Sequence, residues 1–225
     1  MVYKMDICKK IKAVIFDFDG VLVDTEEIYV NRMERFYQNH GIRLPKKILN
    51  ATIGGTLDVS WKKLKSHSPK AWDIEFFKKT YREYSSVQKF CYRELLNEGA
   101  LEMLGGLRER GYLISLASST SMEGLDRAMN ECNLKPYFTA VLSGEMFAES
   151  KPNPEIYLRS AEILKLHPSE CVVVEDSPYG IQSGKDAGMQ VIAKYATKFE
   201  IDQSKADYFI HSLKEVVPLL EKINA

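Results

Sequence analysis

A chain of 225 residues, 45% hydrophobic and 28% charged, can bury a sizeable core in one domain or two. Its 31 basic and 31 acidic side chains cancel, which excludes a bulk electrostatic attraction to nucleic acid or anionic lipid and leaves only local charge to recruit a partner. No apolar run approaches the ~20 residues needed to cross a bilayer, so no membrane partner is expected.

The N-terminal MVYKMDICKK has neither a long apolar core nor a small-residue cleavage site, so no secretory signal is expected. The cysteines (Cys8, Cys91, Cys132, Cys171) are far apart, with no CxxC, and the histidines (His40, His67, His167, His211) are equally scattered. Such spacing predicts reduced thiols in a cytoplasmic protein, with no disulfide frame and no His/Cys metal site. The expected state is a monomer.

Lys12 to Phe16 is a short apolar run rich in β-branched residues, the pattern of a buried strand. It runs into DFDGVLVDT, which places carboxylates at Asp17, Asp19 and Asp24. Asp24 reads as a structural residue bonding backbone at a hinge. From Thr25 to His40, Tyr29, Met33, Phe36 and Tyr37 fall on one helical face, and Gly41 offers a stop. ATIGGTLD, Ala51 to Asp58, reads as a loop with paired glycines. Asp73 opens a helix with Phe77, Tyr81 and Tyr84 on one stripe and Phe76, Val87 and Phe90 beside it. That stripe reads as packing, and Lys62, Lys63 and Lys65 as a solvated face. The segment from 25 to 90 is therefore all-helical and rich in aromatics.

After Gly99 helices and strands alternate. Leu101, Leu104 and Leu107 mark a helix ending at Gly111, and Tyr112 to Ser118 is a strand. Thr120 with Glu123 has capping-box spacing and starts a helix carrying Leu125, Met129 and Cys132. Ala140 to Gly144 is a strand, and Asn153 before Pro154 fits an N-cap and first turn. Cys171 to Asp176 is a strand; Ser177 and Pro178 start a helix stopped by Gly188. Met189 to Ala193 and Asp207 to Ile210 read as further strands, and Ser212 with Glu215 repeats the capping box. The pattern predicts an α/β fold with a doubly wound parallel sheet. Residues 1–24 and 91–225 would build it, and residues 25–90 would be an inserted small α-helical domain.

Open parallel sheets bind ligands beyond the carboxyl ends of their strands. Four segments deliver polar groups there: Asp17 and Asp19; Ser118, Ser119 and Thr120; Lys151 in SKPNPE; and Glu175 with Asp176. Four bare carboxylates cannot converge without some taking up protons. A hard divalent cation resolves the conflict, and oxygen ligands in small number suit magnesium. Lys151 and the Ser118 hydroxyl can then hold an anion facing the metal, with phosphate the natural choice. Asp17 and Asp19 share a face in extended geometry. One can attack phosphorus while the other protonates the leaving alcohol and later activates water.

DFDGVLVDT resembles the first motif, DxDGxxxDT, of the haloacid dehalogenase-like hydrolases. LASST resembles their second motif, ESKPNPE their third and VVVEDSPYGIQSGKDAG their fourth, in order and outside the helical segment. The resemblance implies a Rossmann-like core in which Asp17 is the nucleophile and a magnesium ligand. Asp19 would be the general acid/base, with its backbone carbonyl on the metal. Ser118 and Lys151, with Ser119 beside them, would hold the transferring phosphate. Asp176 with Glu175 would complete the magnesium shell. The helical insertion matches the small cap of the β-phosphoglucomutase-like branch, and it would set specificity through Tyr29 and Gly54, Gly55 and Thr56.

Sugar-phosphate mutases of that branch carry a histidine where Tyr29 stands and an arginine where Leu57 aligns. Leucine has no donor for a second phosphate, although Lys62 or Lys63 could take that place. The expected function is a magnesium-dependent phosphatase of a small phosphorylated metabolite such as a sugar phosphate. A β-phosphoglucomutase-like isomerase is the alternative. A receiver-like phospho-aspartate signalling domain is the non-enzymatic one, though it would lack both the helical insertion and the second aspartate.

Overall fold

The protein is described by a computed structural model over residues 10–225. Residues 1–9, with Cys8 and nearly all of the segment read for a secretory signal, lie outside the described residues. Six strands form one parallel sheet: β1 (Ala13–Phe16), β2 (Leu113–Ser118), β3 (Ala140–Ser143), β4 (Cys171–Glu175), β5 (Gln190–Lys194) and β6 (Tyr208–Ile210). Their order is β3-β2-β1-β4-β5-β6. β1 is buried at all four positions, as a central parallel strand with both faces covered must be. The chain leaves β1 toward β2 on one side and later returns to β4 on the other. The order therefore reverses between β1 and β4, which opens a crevice beyond their carboxyl ends.

Four helices lie between β1 and β2: α1 (Glu26–Asn39), α2 (Lys46–Asn50), α3 (Leu57–Leu64) and α4 (Ile74–Ser86). Their apolar faces close on one another as a separate cluster that includes Val30, Met33, Phe36, Leu49, Leu64 and Phe77. Phe36 sits at its centre, in ring contact with Tyr37, Trp72, Phe77, Tyr81 and Tyr84. The stripe predicted on α4 is thus packing, as Phe77 and Tyr81 are buried; Phe76 and Val87 are exposed. Leu57 and Asp58, read as loop, belong to α3.

α5 (Ala100–Glu109), α6 (Met122–Glu131), α7 (Glu155–Ile163), α8 (Pro178–Asp186) and α9 (Val216–Ile223) cover the sheet. α5, α6 and α9 pack with Val14 and Phe16 on one face, and α7 and α8 with Ala13 and Ile15 on the other. Alternate residues of β1 thus enter opposite layers. Cys91, Cys132 and Cys171 are free thiols. Among the described residues, no helix is long and apolar enough to cross a membrane.

Two local expectations are corrected. α6 is capped by Ser121, whose hydroxyl accepts from Gly124 N at 3.3 Å, not by Thr120. Thr120 is drawn away because its hydroxyl donates to Asp19 Oδ2. Asp24 bonds backbone only through its own N–H, to Leu95 O at 2.8 Å. Its carboxylate pairs with Lys198 Nζ at 2.7 Å on the surface.

Candidate active site

The ladder hydrogen bonds continue one residue past β1, because Asp17 N donates to Val174 O at 2.9 Å. That bond brings Asp17 beside the tip of β4, where Glu175 and Asp176 follow. Oxygens of Asp17, Glu175 and Asp176 all lie within 4.8 Å of one another. Lys151 reaches in from the loop between β3 and α7. Its ammonium donates to Asp17 Oδ1 at 2.6 Å, Glu175 Oε1 at 2.7 Å and Ala117 O at 2.9 Å, which uses all three of its protons.

Asp19 is held from two sides. Thr25 Oγ1 donates to its Oδ1 at 2.6 Å, and Thr120 Oγ1 donates to its Oδ2, with Ser118 Oγ at a longer 3.5 Å. Between the two aspartates and β4 the backbone turns through Gly20, at φ +75°. A Cβ there would stand 1.9 Å from Asp176 Oδ2, so only glycine lets that carboxylate lie against the turn.

Glu175 accepts five hydrogen bonds. Lys151 and the Tyr157 hydroxyl (3.0 Å) donate to Oε1. Asp176 N, Ser177 N and Ser177 Oγ donate to Oε2 at 2.9, 2.9 and 3.1 Å. A carboxylate offers about four lone-pair sites, so Glu175 is saturated by the protein itself. Asp176 differs: its Oδ1 is buried and has no hydrogen-bond partner.

The electrostatics follow from two lysines, Lys151 among the acids and Lys194 acting on Asp176, facing a larger number of buried acids. Burial pushes the Asp17 carboxyl well above its usual range; Lys151 opposes this, while Glu175 and Asp19 push it further. Burial likewise raises Asp176, and Glu26, Glu175 and Asp17 add to the rise. Burial alone would lower the Lys151 ammonium, but Asp17 and Glu175 outweigh it and raise it. Negative charge is in excess at the strand tips.

The helical insert lies over this cluster, and between them is a half-open chamber of about 220 Å³. Asp17, Asp19 and Ser119 line it from the sheet, and Tyr29, Gly54, Gly55 and Thr56 from the insert. Ser118 lies behind the wall, fully buried, with its Oγ accepting Thr120 N at 3.0 Å. Ser119, not Ser118, is the serine that reaches the chamber. Thr56, Leu57 and Ser119 also border a wider cleft of about 920 Å³, which Lys151 lines and which leads to solvent. Three contacts hold the closed arrangement: Tyr179 OH to Ala51 O at 3.1 Å, Thr56 Oγ1 with Ser150 Oγ at 3.3 Å, and Lys198 with Glu27 at 3.2 Å.

Sequence reading missed several residues of this site. Glu26 is buried at the chamber wall, where it accepts the Gly54 N–H; burial, then Asp19 and Asp17, push its carboxyl up. An acid directly after DT, in the first turn of a helix, was its only signal. Thr25 and Thr120 looked like ordinary cap residues. Tyr157 carried no local signal, yet the Lys151 ammonium lies 4.9 Å from its ring centroid.

The family profile of the haloacid dehalogenase-like hydrolases matches residues 14–194. The chain belongs to that family. Its relatives include a phosphorylated carbohydrates phosphatase of Thermotoga maritima, 33% identical over 202 residues covering 87% of this chain and 89% of that one. Hexitol phosphatase A of Escherichia coli is 30% identical over 207 residues, covering 91% and 93%. In fold, the chain is similar to a β-phosphoglucomutase of Clostridium difficile, with a TM-score of 0.80 at 22% identity, covering 95% of this chain and 97% of that one. As in those relatives named phosphatases, the haloacid dehalogenase-like core here serves a phosphoric monoester hydrolase.

The family's use of a divalent metal can be tested on this chain's own donors. They are oxygens only and buried, the acids outnumber Lys151 and Lys194, and Asp176 Oδ1 stands without a partner. That set fits a hard cation, which would take the open oxygen and offset the charge.

Proposed function

We propose that the chain is a magnesium-dependent phosphatase of small phosphorylated metabolites, sugar phosphates included, working through an aspartyl phosphate on Asp17. One observation carries the reading: Asp17, held by Lys151, lies beside the unpartnered buried oxygen of Asp176. Asp17, Asp176 and the backbone carbonyl of Asp19 would hold the metal. Glu175, saturated by five donors, supports them by fixing Lys151 and the turn at Ser177. Bound magnesium neutralises the charge of the phosphoryl oxygens.

Lys151 fixes one oxygen of Asp17 and leaves the other to attack phosphorus. Asp19, steadied by Thr25 and Thr120, gives its proton to the leaving oxygen. It then takes a proton from the water that attacks the phosphoryl–Asp17 bond, and inorganic phosphate leaves with Asp17 restored. Ser119 steadies the phosphoryl oxygens directly, and Lys151, whose three protons are already donated, acts on them through its positive charge. The helices of residues 25–90 act as a cap that excludes bulk water from these steps. The free thiols fit a reducing cytoplasm.

Hydrolysis is favoured over isomerisation because Leu57 and Tyr29 stand in the chamber wall. Neither supplies a cation for the second phosphate of a bisphosphate, and the one base lining the chamber among the described residues, Arg32, brings only a single charge to that dianion. A panel of phosphorylated metabolites with p-nitrophenyl phosphate as reference tests the reading. Phosphate release that needs magnesium and stops in Asp17→Asn is expected. Full turnover in that variant would falsify the mechanism, and sugar-phosphate isomerisation without phosphate release would move the reading to a mutase.

A further inference from the structure

Among the described residues that line the chamber, Arg32 on α1 is the only base. Its guanidinium is clamped between two rings, with Cζ 5.6 Å from the Tyr29 centroid and 5.6 Å from the Phe90 centroid. Nη2 donates to Gln88 O at 2.8 Å. Among the described residues no ion pair reaches it, and its Nε–H is buried without a hydrogen-bond partner there. A buried donor left unmet costs free energy that a ligand's acceptor would recover.

The acids of the same chamber are already engaged. Asp17 faces Lys151, Asp19 accepts from two threonines, and Glu26 accepts the Gly54 N–H. Arg32 is therefore a pre-positioned cation with no protein anion to meet. The phosphoryl group of a substrate takes the Asp17 end, so Arg32 faces the leaving group. Two features define what that group carries. A planar guanidinium can fork onto a carboxylate or a phosphate, but its single charge balances a carboxylate monoanion in full and a phosphate dianion only in part. The chamber of about 220 Å³ holds about seven water volumes, which limits the leaving group to a short chain.

We infer that Arg32 selects substrates whose leaving group ends in a carboxylate, so that short phosphorylated hydroxy acids are preferred to neutral polyol phosphates of the same length. The inference rests on the phosphatase reading above and names the substrate class for that site. Arg32 acts through binding and takes no part in the bond-making steps.

The test compares matched substrates that differ only in CH2OH against carboxylate: glycerol phosphate with phosphoglycerate, and erythritol phosphate with phosphoerythronate. kcat/KM is measured with magnesium for the wild type, Arg32→Lys and Arg32→Met. The wild type is expected to favour the acid of each pair by about tenfold or more, the worth of one charge-assisted hydrogen bond. In Arg32→Met the preference collapses toward unity through a higher KM for the acids, and Arg32→Lys keeps part of it. A wild type that treats both members of each pair alike overturns the inference, and so does a preference that survives in Arg32→Met. If Arg32→Met melts early, the wild-type comparison and Arg32→Lys decide. Hydrolysis of p-nitrophenyl phosphate without acid preference removes only this inference; no hydrolysis of any substrate removes the phosphatase reading beneath it.

Discussion

The strand tips and the cap are built on different principles. At the strand tips nearly every polar atom is fixed by another: Lys151 spends three protons, Glu175 accepts five bonds, and Asp19 is gripped by Thr25 and Thr120. The cap holds itself together by ring packing around Phe36 and meets the rest of the chain through a few polar contacts and through Phe199 and Ile201, which pack against its cluster. The first arrangement resists change because one displaced group strands several partners in a low-dielectric site. The buried members of the second cluster all come from the helices of residues 25–90 and their connections, so a change there disturbs the sheet clusters less. The proposed function accordingly puts the chemistry on the strand tips and the choice of substrate on the helical segment.

Substitutions at matching glycines separate the two most sharply. Gly20→Ala forces a Cβ to within 1.9 Å of Asp176 Oδ2 at a backbone with φ +75°. Magnesium-dependent turnover should fall about 100-fold, the usual loss when support of a metal ligand is disturbed. Titration calorimetry with magnesium should show weakened binding; unchanged affinity would mean that Asp176 is no ligand.

Phe77→Ala should cost about 3–5 kcal/mol of cap packing. Hydrogen exchange is expected to rise across α1 and α4 while β1 and β4 stay protected. Equal loss of protection in both regions would show the two clusters to be one cooperative unit. Gly54→Ala places a Cβ 2.2 Å from Ser177 Cβ, at φ +69°. Here the cap can lift away, so the expected outcome is a KM raised about tenfold with magnesium affinity kept.

The charge excess at the strand tips sharpens the contrast through pH. Asp17, Glu26 and Asp176 are all raised above their unfolded values, burial being the first cause of each. The folded protein then holds more protons than the unfolded chain, and that stabilisation is complete below the ordinary carboxylate range. It is lost as pH rises through the raised values. With metal chelated, the melting temperature should drop as pH rises above the ordinary carboxylate range, and magnesium should shrink the drop. A metal-free melting temperature that does not vary with pH would count against a cation site. Smallest of all, Lys198→Ala removes half-exposed pairs with Asp24 and Glu27 and should change stability by no more than about 0.5 kcal/mol in a denaturant melt.

Much of the fold was legible because burial writes itself into short patterns. Val14, Ile15 and Phe16 announce a central strand, and CVVVED another, since a parallel strand covered on both faces has no polar side. The aromatic period of α1 and α4 marked the cap in the same way. Asp17, Asp19, Lys151, Glu175 and Asp176 could be nominated because they follow strands, where a parallel sheet opens to ligands. Thr120 misled, since capping-box spacing at Thr120 and Glu123 is a local signal and the bond to Asp19 spans 101 residues.

The amino-acid order by itself determined which segments are strands and helices, and which polar residues leave the sheet at its tips, because periodicity and strand ends are local properties. Only the tertiary structure decided how those residues share their hydrogen bonds. It filled Glu175 with donors and left Asp176 Oδ1 open; it set Ser119 in the chamber with Ser118 behind; and it brought Glu26, Tyr157 and Arg32 to places no spacing foretold. The reason is physical: a lone pair or a proton is spent on whichever partner packing delivers, and the deciding partners can lie far along the chain, Lys151 24 residues from Glu175 and Thr120 101 from Asp19.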